Sequence, residues 1–333
     1  MYKSLGISLM LAALLTVNAA ASVMASLGWR LLARPLGCCS AKTRARILFA
    51  LRTTPPALAL IFVAGFLVPA YIVYEPDNTP EVVSGKLAAL ALVSAIGVAL
   101  TVWRGLRSWL ATQKLLKQWL ARAEPIRIGQ VSIPAFRIEH PFPVMAVVGS
   151  IRPRLFVASR VLESLSDDEL RATLAHESGH LVEHDNLKRI LIRACRDVLA
   201  IVPCGRSLDR AWAENAEAAA DESAANHGSA VALNLASALI EIARMVPPGS
   251  RPTMPVGAML LGDETDGVKV RVKRLLDLAD TGVRQSRCSS NISGWYGRTL
   301  FLSAIFLLLF FLINASTLAA LHDAIEHAVR FLS

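Results

Sequence analysis

Apolar residues fall along this chain in two distinct ways. Four stretches are hydrophobic over their whole length, and the rest mixes apolar and polar positions in the short periods of a water-exposed domain. The four runs cover residues 5–29, 57–74, 87–103 and 300–321. Each approaches the roughly 20 apolar residues that a bilayer-crossing helix needs. The first follows Lys3 and has small residues at 19–22, like a secretory leader, but its length favours a retained span.

Between the third and fourth runs lies a polar region long enough for its own core. Residues 104–122 read as a mixed helix. Ile126-Arg127-Ile128, Phe136-Arg137-Ile138, residues 144–148 (Val-Met-Ala-Val-Val) and Leu155-Phe156-Val157 read as short strands, with a turn at residues 149–153. Such strands serve as core scaffolding, or as an edge that aligns an extended substrate by main-chain hydrogen bonds. Leu165-Ser166-Asp167-Asp168-Glu169 fits a capping box with an acidic first turn and predicts a helix start. Leu170, Leu174 and Leu181 give that helix its apolar contacts. A second helix is predicted over residues 209–226.

Composition supports the division. The chain of 333 residues is 54% hydrophobic and only 18% charged, below the quarter usual in soluble domains. The net charge of +9 sits beside the apolar runs and fits membrane orientation, not direct nucleic-acid binding. Arg30, Arg34, Lys42, Arg44, Arg46 and Arg52 follow the first run, and Arg104, Arg107, Lys114 and Lys117 follow the third. Glu75, Asp77, Glu81 and a lone Lys86 separate the second from the third, and Arg284, Arg287 and Arg298 precede the fourth.

Positive loops stay cytoplasmic. The expected layout is three transmembrane helices in residues 1–103, with a basic cytoplasmic loop (30–54) and an acidic outer loop (75–86). A cytoplasmic domain (104–298), a fourth helix and a short outer tail (299–333) follow. Both termini then lie outside an inner cell membrane, and Lys42, Arg44 and Arg46 are placed to touch anionic lipid headgroups. Cys38, Cys39, Cys195, Cys204 and Cys288 are odd in number and lack C-x-x-C spacing, so neither a disulfide framework nor a cysteine metal site is expected.

The chemistry concentrates at Ala175-His176-Glu177-Ser178-Gly179-His180. Residues four apart on a helix share a face one turn apart, so His176 and His180 can offer both imidazoles to one metal ion. Zn²⁺ suits neutral nitrogen ligands and keeps a position open for water. Glu177 lies beside the pair, where it can act as general base toward that water. His184 extends the series, but it stands about 12 Å along the axis from His176, too far for a shared ion. The helix over residues 209–226 carries Glu214, Glu217 and Asp221 on one face. One carboxylate completes the ligand set and another can orient a ligand imidazole; spacing alone leaves Glu214 and Glu217 open. His184 and His227 are candidates for an oxyanion donor.

The run from Val144 to Asn186 resembles the BlaR/MecR-type membrane zinc metallopeptidases. It shares a Gly-x-x-x-Pro turn (Gly149, Pro153), Leu165-Ser166 with Asp168-Glu169-Leu170, the His-Glu-x-x-His motif and Asp185-Asn186. Glu217-x-x-x-Asp221 is similar to the Glu-x-x-x-Asp of that family and of related membrane gluzincins. The basic stretch from Val270 to Leu276 is similar to a helix near the end of such domains, and three spans before the domain with one after match the family layout.

The resemblance implies Glu217 as third zinc ligand, Asp221 behind a ligand, and an α-helical four-span membrane protein with a cytoplasmic α+β gluzincin-like protease domain. It implies an endopeptidase acting on a cytoplasmic or membrane-proximal protein, a transcriptional repressor in the family pattern. Quality-control or maturation proteolysis, or a metal-binding signalling scaffold without turnover, are the alternatives. Family sensors carry a β-lactam-binding domain after the last span. Only about a dozen residues follow it here, with no Ser-x-x-Lys module, so sensing by acylation is not expected.

Overall fold

The computed structural model describes residues 2–74, 84–128, 133–149, 152–197, 205–246 and 265–281. The acidic segment 75–83, the fourth apolar run, Cys204 and Cys288 lie outside them.

The chain opens with α1 (Tyr2–Leu32), then turns through a short 3-10 segment (Pro35–Cys38) into α2 (Ala41–Phe62). Ser40 caps α2, its hydroxyl accepting from the Thr43 N–H at 3.3 Å. A π-turn (Val63–Leu67) leads into α3 (Val68–Tyr74), and α4 follows (Gly85–Leu120). Three stretches, Leu5–Leu32, Ala41–Val73 and Gly85–Leu120, are long and apolar enough to cross a membrane.

Two features differ from the sequence-based expectation. Residues 41–54, expected as loop, are helical. Their buried positions, Ala41, Ala45, Leu48 and Arg52, recur at helical period, a pattern the interspersed basic residues obscure. The third apolar run and the basic stretch behind it form one helix of 36 residues. At 1.5 Å per residue that is about 54 Å, against a hydrocarbon layer of about 30 Å. α4 is therefore longer than such a layer is thick, and its far end packs Leu115, Leu116, Trp119 and Leu120 onto the domain core.

The sheet contains β1 (Glu124–Ile126), β2 (Ala135–Ile138), β3 (Met145–Val148) and β4 (Arg154–Ala158) in the order β1-β2-β4-β3. β2 and β4 are parallel and the other pairs antiparallel. Phe156 is wholly buried, with Phe136 stacked at 5.5 Å and Trp119 edge-on at 5.1 Å. The helices α5 (Ser159–Ser164), α6 (Asp167–Glu183), α7 (Asp185–Asp197), α8 (Gly205–Ala225), α9 (Ser229–Met245) and α10 (Thr265–Thr281) complete the described domain. Leu174 of α6, Leu235 and Leu239 of α9 and Leu275 of α10 close the core against β3 and β4.

Candidate metal and active site

Local sequence sets where α6 starts and stops. Ser166 accepts from the Glu169 N–H at 3.3 Å, and the Ser166 N–H donates to Glu169 at 2.9 Å, a reciprocal cap. Asp167, Asp168 and Glu169 face the positive end of the helix dipole. At the other end His184 takes the left-handed conformation (φ 57°), and α7 begins at the next residue. This reversal folds Asp185 back onto the helix it follows.

α6 and α8 run in close contact. A Cβ added at Gly179 would lie 3.2 Å from the Ala220 Cα, so the helices meet almost backbone to backbone. That approach carries Glu217 to the two histidines. His176 Nε2 and His180 Nε2 each lie 3.7 Å from a Glu217 oxygen, and one ligand atom from each of the three residues lies within 4.8 Å of the others. Ligands at 2.0–2.2 Å around a tetrahedral ion stand roughly 3.3 Å apart. The Glu217 oxygens are within a few tenths of an ångström of that spacing, and the widest pair would close by up to about 1.5 Å to seat an ion.

The outer nitrogens are also engaged. His176 Nδ1 lies 3.0 Å from Asp221 Oδ1, and His180 Nδ1 lies 2.8 Å from Asp185 Oδ2. A proton held on each Nδ1 leaves Nε2 as the lone-pair donor, the arrangement that fixes metal-binding imidazoles. His180 Nε2 is buried with no hydrogen-bond partner among the described residues. A buried ring nitrogen without a hydrogen-bond partner, beside a second histidine and a carboxylate, belongs to the donor set that zinc takes.

Electrostatics follow from this packing. Burial disfavours the charged His180 imidazole, but Glu217 and the hydrogen bond to Asp185 outweigh it and raise the group to about 10. Burial and Arg271 lower His176, yet Asp221 and Glu217 raise it overall. Burial would raise Glu217; His180 and Arg271 pull it well below the usual carboxylate range. Asp221, against the same burial, is held at about 2 by Arg271 and His176.

Glu177 is buried, one of its oxygens has no hydrogen-bond partner among the described residues, and desolvation raises its carboxyl. With His180 it lines a cavity of about 140 Å³ shared with Val147, Gly149, His184 and Asn186. β3 forms the edge of the sheet here. The Ala158 N–H bonds to Val144 O, so in this antiparallel register Val144, Ala146 and Val148 face β4 while Met145 and Val147 turn their main-chain groups outward. Asn186 donates to Val147 O at 3.0 Å.

The open choice on α8 resolves in space. Glu214 is exposed and pairs with Arg210 at 3.5 Å, while Glu217 points between the histidines. His184 is exposed at the rim of the cavity, and His227 is exposed at the end of α8, bonded to the carbonyls of Ser223 and Ala224. Two close groups had no role from spacing. Asp185 lies just past the motif helix, and its only linear signal is the Asp-Asn pair after His184. Arg271 of α10 donates to Asp221 through Nε and Nη2 (3.1 and 2.7 Å) and to Glu217 through Nη1 at 3.1 Å. The sequence marked its basic stretch without indicating which residue turns inward.

Residues 146–252 match the family model of Peptidase family M48. The matched stretch contains the motif, Glu217 and Asp221 and ends before Arg271. The match supports reading the site as that of a metallopeptidase, a metal-dependent hydrolase. No curated protein matches the chain.

Proposed function

We propose that the chain is an integral-membrane zinc endopeptidase cleaving a cytoplasmic or membrane-proximal protein. The reading rests chiefly on one observation: His176, His180 and Glu217 converge beside a buried Glu177. These three residues hold the ion. When bound, zinc supplies a Lewis acid that acidifies water and polarises the scissile carbonyl.

The remaining steps belong to side chains. Glu177 accepts the proton of the attacking water and passes one to the leaving amine; its raised affinity for protons matches that double duty. The outward groups of Met145 and Val147 pair with an extended substrate, adding a strand to the edge of β3. Asn186 already holds the Val147 carbonyl, and Met145 and Val147 are buried, so a substrate strand pairs here only once what covers this edge has moved aside.

Orientation follows the basic flanks, with the peptidase region cytoplasmic and the N-terminus outside. The substrate class extends the BlaR/MecR resemblance: a cytoplasmic repressor in a regulatory pathway. Substrate trapping with Glu177→Ala tests it, since a DNA-binding protein in the trap supports regulation and misfolded membrane proteins support quality control.

The decisive experiment is metal content with proteolysis, on wild type and Glu177→Ala purified in detergent. We expect about one zinc per chain in both and cleavage of a co-expressed substrate pool only in wild type. Well-folded wild type without metal would overturn the reading. Zinc without Glu177-dependent cleavage would favour a non-catalytic scaffold.

A further inference from the structure

The N-terminal half of α2 touches both helices that carry the candidate metal-binding triad. At the end of α6, Glu183 stands three residues beyond His180. Lys42 Nζ lies 2.8 Å from Glu183 Oε1, and Arg46 donates to both Glu183 oxygens at 3.1 and 3.3 Å. On α8, Glu222 directly follows Asp221, and the Ala41 N–H at the start of α2 donates to it at 3.1 Å. Arg52, almost wholly buried, donates to Asp209 at 2.8 Å. Gly205 leaves room for that guanidinium, because a Cβ there would meet it at 3.0 Å.

An apolar seam joins these polar anchors. Ala45 and Leu48 of α2 pack with Leu208, Trp212 and Ala216 of α8 and Ile192 of α7. Ala216 immediately precedes Glu217. Lys42 and Arg46 thus reach an acidic side chain of the peptidase region. Burial would raise the Glu183 carboxyl, but hydrogen bonds from Lys42, Lys188 and Arg46 hold it at about 2. It is therefore ionised and available to all three cations at neutral pH.

We propose that residues 41–52 of α2 are a splint that holds α6 and α8 in register, with Lys42 and Arg46 as positioning residues for the metal site. The proposal rests on the reading of His176, His180 and Glu217 as metal ligands. It makes the metal site an assembly completed by a membrane helix, so a shift of that helix changes the spacing between the histidines and Glu217.

The test uses the full chain and follows zinc retention against a competing chelator, which requires no substrate. Lys42→Glu with Arg46→Glu should weaken zinc retention by about tenfold, the lower end of what loss of a supporting partner costs a metal site. Adding Glu183→Lys reverses the pair and should recover most of that loss, which a general packing defect would not. If the charge-reversed chain fails to fold, Lys42→Gln with Arg46→Gln carries the same expectation with a smaller loss. Retention within twofold of wild type in a folded variant, or a loss that Glu183→Lys does not repair, overturns the splint. Wild type that holds no zinc removes the metal reading and the splint together; wild type and variants that hold it equally remove the splint alone.

Discussion

His180 Nδ1 lies 2.8 Å from Asp185 Oδ2, across the left-handed turn that His184 makes between α6 and α7. Both side chains are buried, so solvent competes little with the bond between them. Asp185→Ala should therefore lower zinc affinity by 10- to 100-fold, roughly the range for groups that orient a ligand imidazole. Asp185→Asn should lose less, since its amide oxygen still accepts the Nδ1 proton. Zinc competition titrations on the two variants check the order; equal losses would show that the carboxylate's charge, and not its accepting oxygen, supports the imidazole.

Protons and metal compete for the same nitrogens. In the metal-free protein His180 is raised to about 10 from an ordinary 6.5, so it keeps its proton through neutral pH and metal loading must release it. Zinc affinity should rise about tenfold per pH unit between 6 and 9 for each proton released. The linkage has a matching sign for stability. A raised folded-state value stabilises the metal-free chain fully below about 6.5, and that contribution is lost as pH climbs through about 10. The gap in Tm between zinc-loaded and chelator-treated protein should widen as pH rises. A gap that stays constant would mean that the imidazoles bind already deprotonated.

How much of this could be read from the linear chain depended on how far apart the partners lie. The capping box at Ser166 and Glu169 and the pairing of His176 with His180 are contacts within one helix, fixed by 3.6-residue geometry, and they were legible. Spacing placed Glu217 only to within one turn, because Glu214 has the same helical claim, and the family resemblance chose between them; the close approach of Gly179 to Ala220 carries Glu217 inward and leaves Glu214 at Arg210. Arg271 comes from a helix 50 residues beyond Asp221, and no local period marks which basic residue faces the site. The docking of α2 was hidden for a different reason. Its basic residues have the composition of a cytoplasmic flank, and only the acidic partners supplied by α6 and α8 reveal a second use.

Gly179 offers the sharpest test of the geometry, because local and tertiary effects oppose each other there. Replacing a helical glycine by alanine favours the helix by about 1 kcal/mol. Here the new methyl would meet the Ala220 Cα at 3.2 Å and the Ser223 Cβ at 3.3 Å. Backbone cannot rotate aside as a long side chain can, so α6 and α8 must separate by a few tenths of an ångström. We expect Gly179→Ala to leave the metal-free Tm nearly unchanged while zinc affinity falls, as Glu217 retreats from both imidazoles. Gly179→Leu forces a larger separation and should cost about 1–3 kcal/mol in stability and nearly all metal binding. Zinc retention and Tm measured side by side decide the matter. If Gly179→Ala gains stability and binds zinc as tightly as wild type, the close approach of α6 and α8 does not set the ligand spacing.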